Sequence, residues 1–273
     1  MNCKICDSEK TEMWFDNKDY FTCLDCDCIF RSRLPTVPTV PTVPTVPTVP
    51  TVPTVQNNLK EKLGLIISKR FWSIVANQYV KYLKTKTGLK FKTVFDIGSA
   101  YGHFVKKLEE NDVDAVGIEK AQRTYDGRVT DKIKLGYFDE SSNLDKKYDL
   151  ICFTQMIYYL NDPISVINNA KKFLNPDGFI FIATYSVISP FFKKYPKIMQ
   201  GEENIMLSRK NFENLSGFKI IDFTNFRSDL FLERRKQSTA FNEIKNYAKF
   251  HFKQSFTEFE QGQISFILLQ ILD

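Results

Sequence analysis

Gly98 and Gly102 with the carboxylates Asp96 and Glu119, in Asp96-Ile97-Gly98-Ser99-Ala100-Tyr101-Gly102 and Ala115-Val116-Gly117-Ile118-Glu119, have the types and spacing of a nucleoside pocket. Val94 to Ile97 reads as a short buried strand with an acid near its end, and His103-Phe104 enters a helix after the glycine loop. In a doubly wound sheet, ligands bind beyond the carboxyl ends of the strands, where the first strand-to-helix loop must let backbone approach the ligand. Gly98 and Gly102 permit this, because glycine has no Cβ in the way and tolerates positive φ. Glu119 follows Gly102 by seventeen residues. At that separation a second strand can end on an acid that accepts hydrogen bonds from both ribose hydroxyls.

Phosphate chemistry fits poorly. Ala100 and His103 stand where the dinucleotide fingerprint G-x-G-x-x-G needs its second and third glycines, and no G-x-x-x-x-G-K-[ST] loop occurs. A nucleoside without phosphates is expected. Further elements follow in order. Lys146 to Gln155 is strand-like, with Asp149 at its start and Phe153, Thr154 and Gln155 at its ligand edge. Asp162-Pro163 starts a helix, since aspartate caps and proline suits the first turn. Asn175-Pro176-Asp177-Gly178 is a turn, and Phe179 to Thr184 a continuous apolar strand. Gly217 to Phe223 and Ile264 to Leu269 read as two closing strands.

The loop Asp96-x-Gly98-x-x-x-Gly102, the acid Glu119, the strand from Lys146 and the Asn175-Pro176-Asp177-Gly178 turn before a strand resemble the class I S-adenosylmethionine-dependent methyltransferases. The resemblance implies an α/β fold: a doubly wound, mostly parallel sheet whose final strand is antiparallel. It implies S-adenosylmethionine as methyl donor. Asp96, Gly98, Ser99, Ala100, Tyr101 and Gly102 would surround its methionine part, Glu119 would hold the ribose, and Lys120 would line the adenine side. Tyr137 and Phe138, at the third-strand edge, either stack on adenine or belong to the core. Phe153, Thr154 and Gln155 complete the cofactor set.

The cysteines form a second constellation. Cys3-Lys4-Ile5-Cys6 and Cys23-Leu24-Asp25-Cys26 are separated by sixteen residues, within the window of a C-x2-C, C-x2-C zinc site. Four thiolates supply a tetrahedral Zn²⁺ site, and a piece this short needs the metal to fold. Two disulfides are the alternative. Cys28 either replaces Cys26 as a ligand or is a free thiol, and Cys152 is a buried strand residue. Some relatives of the resembling family begin with such a ribbon, several of them linked to sugar or polysaccharide modification. They usually carry glycine after the second pair, where Asp27-Cys28 stands here.

These pieces divide the chain into a zinc ribbon (1–34), a Pro-Thr-Val linker (35–55) and a methyltransferase domain (56–273) with an N-terminal helix and a helical C-terminal insertion. Seven Pro-Thr-Val triplets run from Pro35 to Val55. Proline at every third residue favours polyproline II, about 65 Å long at roughly 3.1 Å per residue, so the tract gives the ribbon no fixed place on the domain. From Arg70, the spacing of Phe71, Trp72, Val75, Tyr79 and Leu83 gives an amphipathic helix with Trp72 and Tyr79 in the core. From Arg234 to Phe252 basic and apolar residues alternate as in a helix, which makes an exposed charged face or a substrate lid.

The net charge is +6, and between Lys60 and Lys92 nine Lys or Arg face the single Glu61. Such a stretch is a solvated helix face or a nucleic-acid contact. No run of eighteen apolar residues and no leader pattern occur, so a soluble, cytoplasmic protein without membrane contact is expected. Catalytic residues are harder to name. Tyr158 and Tyr159 stand where many relatives carry Glu-His, and His103 opens the helix beside the cofactor. Three functions follow: methyl transfer to a small-molecule or glycan acceptor, methyl transfer to nucleic acid (RNA), or a non-catalytic S-adenosylmethionine-binding scaffold.

Overall fold

The computed structural model describes residues 1–14, 17–33, 55–194, 203–228 and 256–272. The Pro-Thr-Val tract up to residue 54 and the basic stretch 234–252 lie outside these residues. Three short strands, β1 (Thr11–Trp14), β2 (Asn17–Cys23) and β3 (Ile29–Arg31), form the N-terminal ribbon. Helix α1 (Val55–Thr87) follows, longer than the Phe71 to Leu83 pattern and starting on the last residue of the repeats.

The apolar runs then build one large sheet. Its elements are β4 (Thr93–Ile97), α2 (His103–Glu109), β5 (Asp114–Glu119), α3 (Gln122–Asp126), β6 (Ile133–Leu135), β7 (Tyr148–Thr154), α4 (Pro163–Lys171) and β8 (Leu174–Tyr185). The chain continues through α5 (Pro190–Lys194), β9 (Ile205–Met206), α6 (Arg209–Glu213), β10 (Phe218–Ser228), β11 (Phe256–Glu258) and β12 (Ile264–Ile271). Strand order is β11-β10-β12-β8-β7-β4-β5-β6. The run β8-β7-β4-β5-β6 is parallel, and β12 enters antiparallel between β8 and β10. This is the fold expected from the sequence, extended by the short edge strand β11.

Local chemistry explains the elements. Asp162 caps α4, accepting from the Ser165 N–H at 2.9 Å, and Pro163 supplies the first turn. Asp149 ties the far end of the sheet together: it accepts from the Lys92 and Thr93 N–H groups at 2.8 and 2.9 Å and from Asn175 Nδ2 at 2.7 Å. The turn 175–178 is not a separate loop. Tyr148 pairs with Leu174 and Leu150 with Phe179, so the four residues bulge from within β8, with Asp177 at φ 60°. Apolar side chains cover both faces. Tyr79, Tyr82, Phe104, Phe181 and Phe266 pack under α1 and α2, and Phe95, Phe153, Val166, Ile167 and Ile180 pack under α4.

The ribbon has a fixed place, contrary to what the repeat tract alone suggests. β3 pairs antiparallel with β9, so the ribbon sheet reads β1-β2-β3-β9 and takes its fourth strand from the C-terminal part of the chain. Tyr20 donates to the Glu203 carbonyl at 2.7 Å, the Arg31 N–H to the Asn204 carbonyl at 2.8 Å, and Ser208 Oγ to the Cys26 carbonyl at 2.5 Å. Strand addition of this kind satisfies the open edge of β3. Its partner lies nearly two hundred residues away in sequence, so no local pattern announces it.

Candidate functional site

The register of the sheet assembles the site. Asp96 lies level with Gly117 and Cys152, and Ile97 with Ile118 and Phe153. Gly98, Glu119 and Thr154 therefore emerge together at one sheet edge. The chain leaves β4 outward to β5 and β6 and returns on its other side through β7. This is the topological switch point at which α/β sheets bind ligands. A cavity of about 580 Å³ opens there.

Glu119 anchors one end of the cavity. Its side chain is nearly buried, Oε2 accepts from the Ala100 N–H at 2.9 Å, and Oε1 accepts from the Ala121 N–H at 2.8 Å. The carboxylate is held rigidly with lone pairs remaining for a ligand. Ala100 is in the left-handed region, at φ 50°, as is Gln155 at φ 57°. Non-glycine residues held there cost free energy, and two of them border the same cavity. Gly98 and Gly102 are left-handed too, and a Cβ on Gly98 would meet Met156 at 2.9 Å.

Of the residues expected at the cofactor, Gly98, Ser99, Ala100, Tyr101, Glu119, Lys120, Tyr137, Phe138, Thr154 and Gln155 line the cavity. Tyr137 is 53% exposed, with the Lys120 ammonium 6.0 Å from its ring, whereas Phe138 is buried against Phe95. Asp96, Gly102 and Phe153 stand behind the wall. His103, Tyr158 and Tyr159 also border the cavity, as do Trp72 and Tyr79, which are therefore wall as well as core. Sequence reasoning missed Met156 and Tyr185. The signal for Tyr185 is its place as the last residue of an apolar strand ending at the same edge.

Asp96 is fully buried. Thr154 Oγ1 donates to its Oδ1 at 3.2 Å, and Oδ2 has no partner among the described residues. Burial pushes its pKa up to about 8, against the opposing hydrogen bonds from Thr154 and Ser99. Burial, then the charges of Lys69, Lys106 and Lys107, pushes His103 down to about 4, so its imidazole is neutral at pH 7 and a weak base. For Tyr79, burial raises the pKa far above the phenol range.

These shifts set a pH dependence. A carboxyl protonated in the folded state contributes stability that is complete below its unfolded value, near 3.8, and lost as pH rises through about 8. His103 acts in the opposite sense between about 4 and 6.5. Cys26, held down to about 4 chiefly by its hydrogen bond with Cys28, acts in the same sense as His103 across pH 6.5 to 8, so the Asp96 effect is read as a difference between two proteins. In thermal melts the Tm of the wild type relative to Asp96→Asn is expected to fall as pH rises across that window; parallel profiles would refute a protonated Asp96.

In the ribbon, the sulfurs of Cys3, Cys6, Cys23 and Cys26 all lie within 4.8 Å of one another. Cys3 to Cys26 is 3.6 Å and Cys6 to Cys23 is 3.5 Å, close to the edge of about 3.8 Å of a tetrahedron with 2.3 Å metal–sulfur bonds. The two Cys-x-x-Cys turns are built alike, each followed by an aspartate in the left-handed region, Asp7 at φ 56° and Asp27 at φ 59°. The donor set fits a tetrahedral cation. Cys28 Sγ stands beside it, buried, 3.4 Å from Cys3 and 3.5 Å from Cys26.

A family model described as "Methyltransferase domain" matches residues 71–218, more than half of the chain. The chain belongs to this methyltransferase family. The matched span holds the glycine loop, Glu119, β7, β8 and the segment that carries β9. Among curated relatives, the ubiquinone biosynthesis O-methyltransferase of Haemophilus ducreyi is 25% identical over 139 residues, covering 46% of this chain and 58% of that protein. The tRNA U34 carboxymethyltransferase of Campylobacter fetus is 27% identical over 186 residues, covering 60% of this chain and 65% of that protein. The methyltransferase chain thus spans under two thirds of either relative's length. A solved Thermotoga maritima structure, described as a SAM-dependent methyltransferase and possible histamine N-methyltransferase, matches with TM-score 0.53 and 18% identity. It covers 78% of this chain and 95% of its own, and shows the shared fold. Among the described residues no helix is long and apolar enough to cross a membrane.

Proposed function

We propose that the protein transfers a methyl group from S-adenosylmethionine to a small-molecule or glycan acceptor. The observation that carries this reading is the Glu119 carboxylate, fixed by two backbone N–H groups at the switch point beside the loop Gly98 to Tyr101, which is left-handed at Gly98 and Ala100. When bound, the donor would supply a methyl group on a positively charged sulfur, open to an acceptor nucleophile. Glu119 would hold the ribose diol, the backbone of Gly98 to Tyr101 would face the methionine part, and Lys120, Tyr137 and Phe138 would flank the adenine. With His103 neutral and weakly basic, the chain's work is alignment of the acceptor and exclusion of water more than proton removal. Cys3, Cys6, Cys23 and Cys26 would hold a structural Zn²⁺.

The donor reading is tested by titrating the protein with S-adenosylhomocysteine in a calorimeter. Micromolar binding is expected, and absence of heat at high protein concentration rejects it. Labelled S-adenosylmethionine incubated with fractionated extract then shows which acceptor class takes up label. The tRNA enzyme among the relatives and the basic stretch from Lys60 to Lys92 favour RNA as a second reading. That reading requires RNA binding that falls steeply with salt.

A further inference from the structure

The cavity has two chemically different ends. Glu119 ends β5 and Tyr185 ends β8, three strand spacings or about 14 Å apart. Among the described residues lining the cavity, the formal charges are those of Glu119 and Lys120, both at the β5 end. Tyr79, Gln155, Tyr158 and Tyr159 gather about Tyr185 at the β8 end, and α1 adds Phe71 and Trp72 to the lining, none of them charged.

The aromatic rings there are already layered. Tyr158 and Tyr185 stack with centroids 4.4 Å apart and planes 14° apart, and Tyr159 meets Tyr158 edge-on at 4.5 Å. Within this apolar wall the Tyr79 hydroxyl and the Gln155 amide lie beside each other, and neither Tyr79 Oη nor Gln155 Nε2 completes a well-formed hydrogen bond among the described residues. Both side chains are more than nine-tenths buried, and both border the cavity. An unpartnered buried donor or acceptor costs about 1–3 kcal/mol, which a ligand group can recover.

We infer that the β8 end takes the acceptor, and that this acceptor is a flat, uncharged aromatic ring bearing a hydroxyl. The ring lies among Trp72, Tyr158 and Tyr159. Its hydroxyl accepts from Gln155 Nε2 and donates to the Tyr79 oxygen. Among the described residues lining this end, a phosphate-bearing acceptor would find no cation. A sugar would bury several hydroxyls against a wall that is mostly carbon, and each would lose a water partner. The inference rests on the donor reading proposed above, because the donor fills the opposite end.

Ligand-observed NMR with three probes tests it, on the full chain saturated with S-adenosylhomocysteine. The probes are 2-naphthol, methyl β-D-glucopyranoside and uridine 5′-monophosphate. 2-Naphthol is expected to bind at least tenfold more tightly than the other two. Tyr159→Ala and Tyr79→Phe are each expected to weaken it about fivefold, with S-adenosylhomocysteine affinity changed less than twofold, which also certifies the fold of the variants. Tyr159 is 36% exposed, so its truncation is tolerable. Equal or tighter binding of the glucoside or the nucleotide, or 2-naphthol binding indifferent to both substitutions, overturns the inference. Failure of S-adenosylhomocysteine to bind the wild type overturns the donor reading instead, and is seen before any probe is added.

Discussion

Glu119→Ala is expected to weaken S-adenosylhomocysteine binding about 100-fold or more. Each hydrogen bond from a ribose hydroxyl to a carboxylate contributes about 1.5–3 kcal/mol, and two are lost together. A second effect adds to this. Glu119 Oε2 receives the Ala100 N–H, and Ala100 is held at φ 50°, a conformation an alanine leaves readily once its anchor is gone. The loop would then have to be ordered by the ligand itself, which further lowers affinity. Glu119→Gln keeps the shape and one strong acceptor, so a smaller loss of about tenfold is expected. Calorimetry with both variants checks the order; less than threefold loss for the alanine variant would remove Glu119 from the site.

Removing the proposed Zn²⁺ is expected to loosen a wall of the cavity and not only the ribbon. A four-thiolate zinc site contributes about 10–16 kcal/mol to folding of a small module, far more than three short strands supply. The ribbon holds β9 through the β3 pairing, and β9 adjoins Asn204. Asn204 in turn holds the tyrosine wall: its N–H donates to the Tyr158 carbonyl at 2.7 Å and its Nδ2 to the Tyr159 carbonyl at 2.8 Å. Chelation, or Cys23→Ser, should therefore speed amide exchange in residues 203–206 at least tenfold and raise it around Tyr158. Protection of β4 and β5 should persist, and with it binding of S-adenosylhomocysteine. Hydrogen exchange read by mass spectrometry, alongside zinc content near one equivalent in the untreated protein, measures this. Unchanged exchange at 203–206 after zinc loss would show that the ribbon does not support the wall.

The parallel sheet and its ligand edge were legible in the sequence because they are local. A buried strand, a glycine loop and a following helix lie within about fifteen residues, and each supplies its own signal of apolar run, turn residue or cap. The Cys-x-x-Cys pairs were legible for the same reason, since each turn aims two sulfurs by itself. Asp149 was visible as a strand residue, but its work of tying Lys92, Thr93 and Asn175 together could not be read, because those partners come from three separate segments. Asp96 shows the reverse. The motif places it at the ligand, and packing puts its carboxyl behind the wall, where burial and the Thr154 hydroxyl decide its protonation.

By itself, then, the sequence determined the class of fold, the sheet edge at which the cavity opens and a cysteine cluster that fits a metal, all through spacings shorter than one βαβ unit. Only the tertiary structure decided what joins them. The ribbon's fourth strand comes from Ile205–Met206, the tyrosine wall is braced by Asn204, and the uncharged end of the cavity is assembled from α1, β7 and β8. Each of these is a contact between residues far apart in the chain. Such contacts depend on which surfaces close-pack after the sheet has formed, and the periodicity of any one segment carries no record of its distant partner.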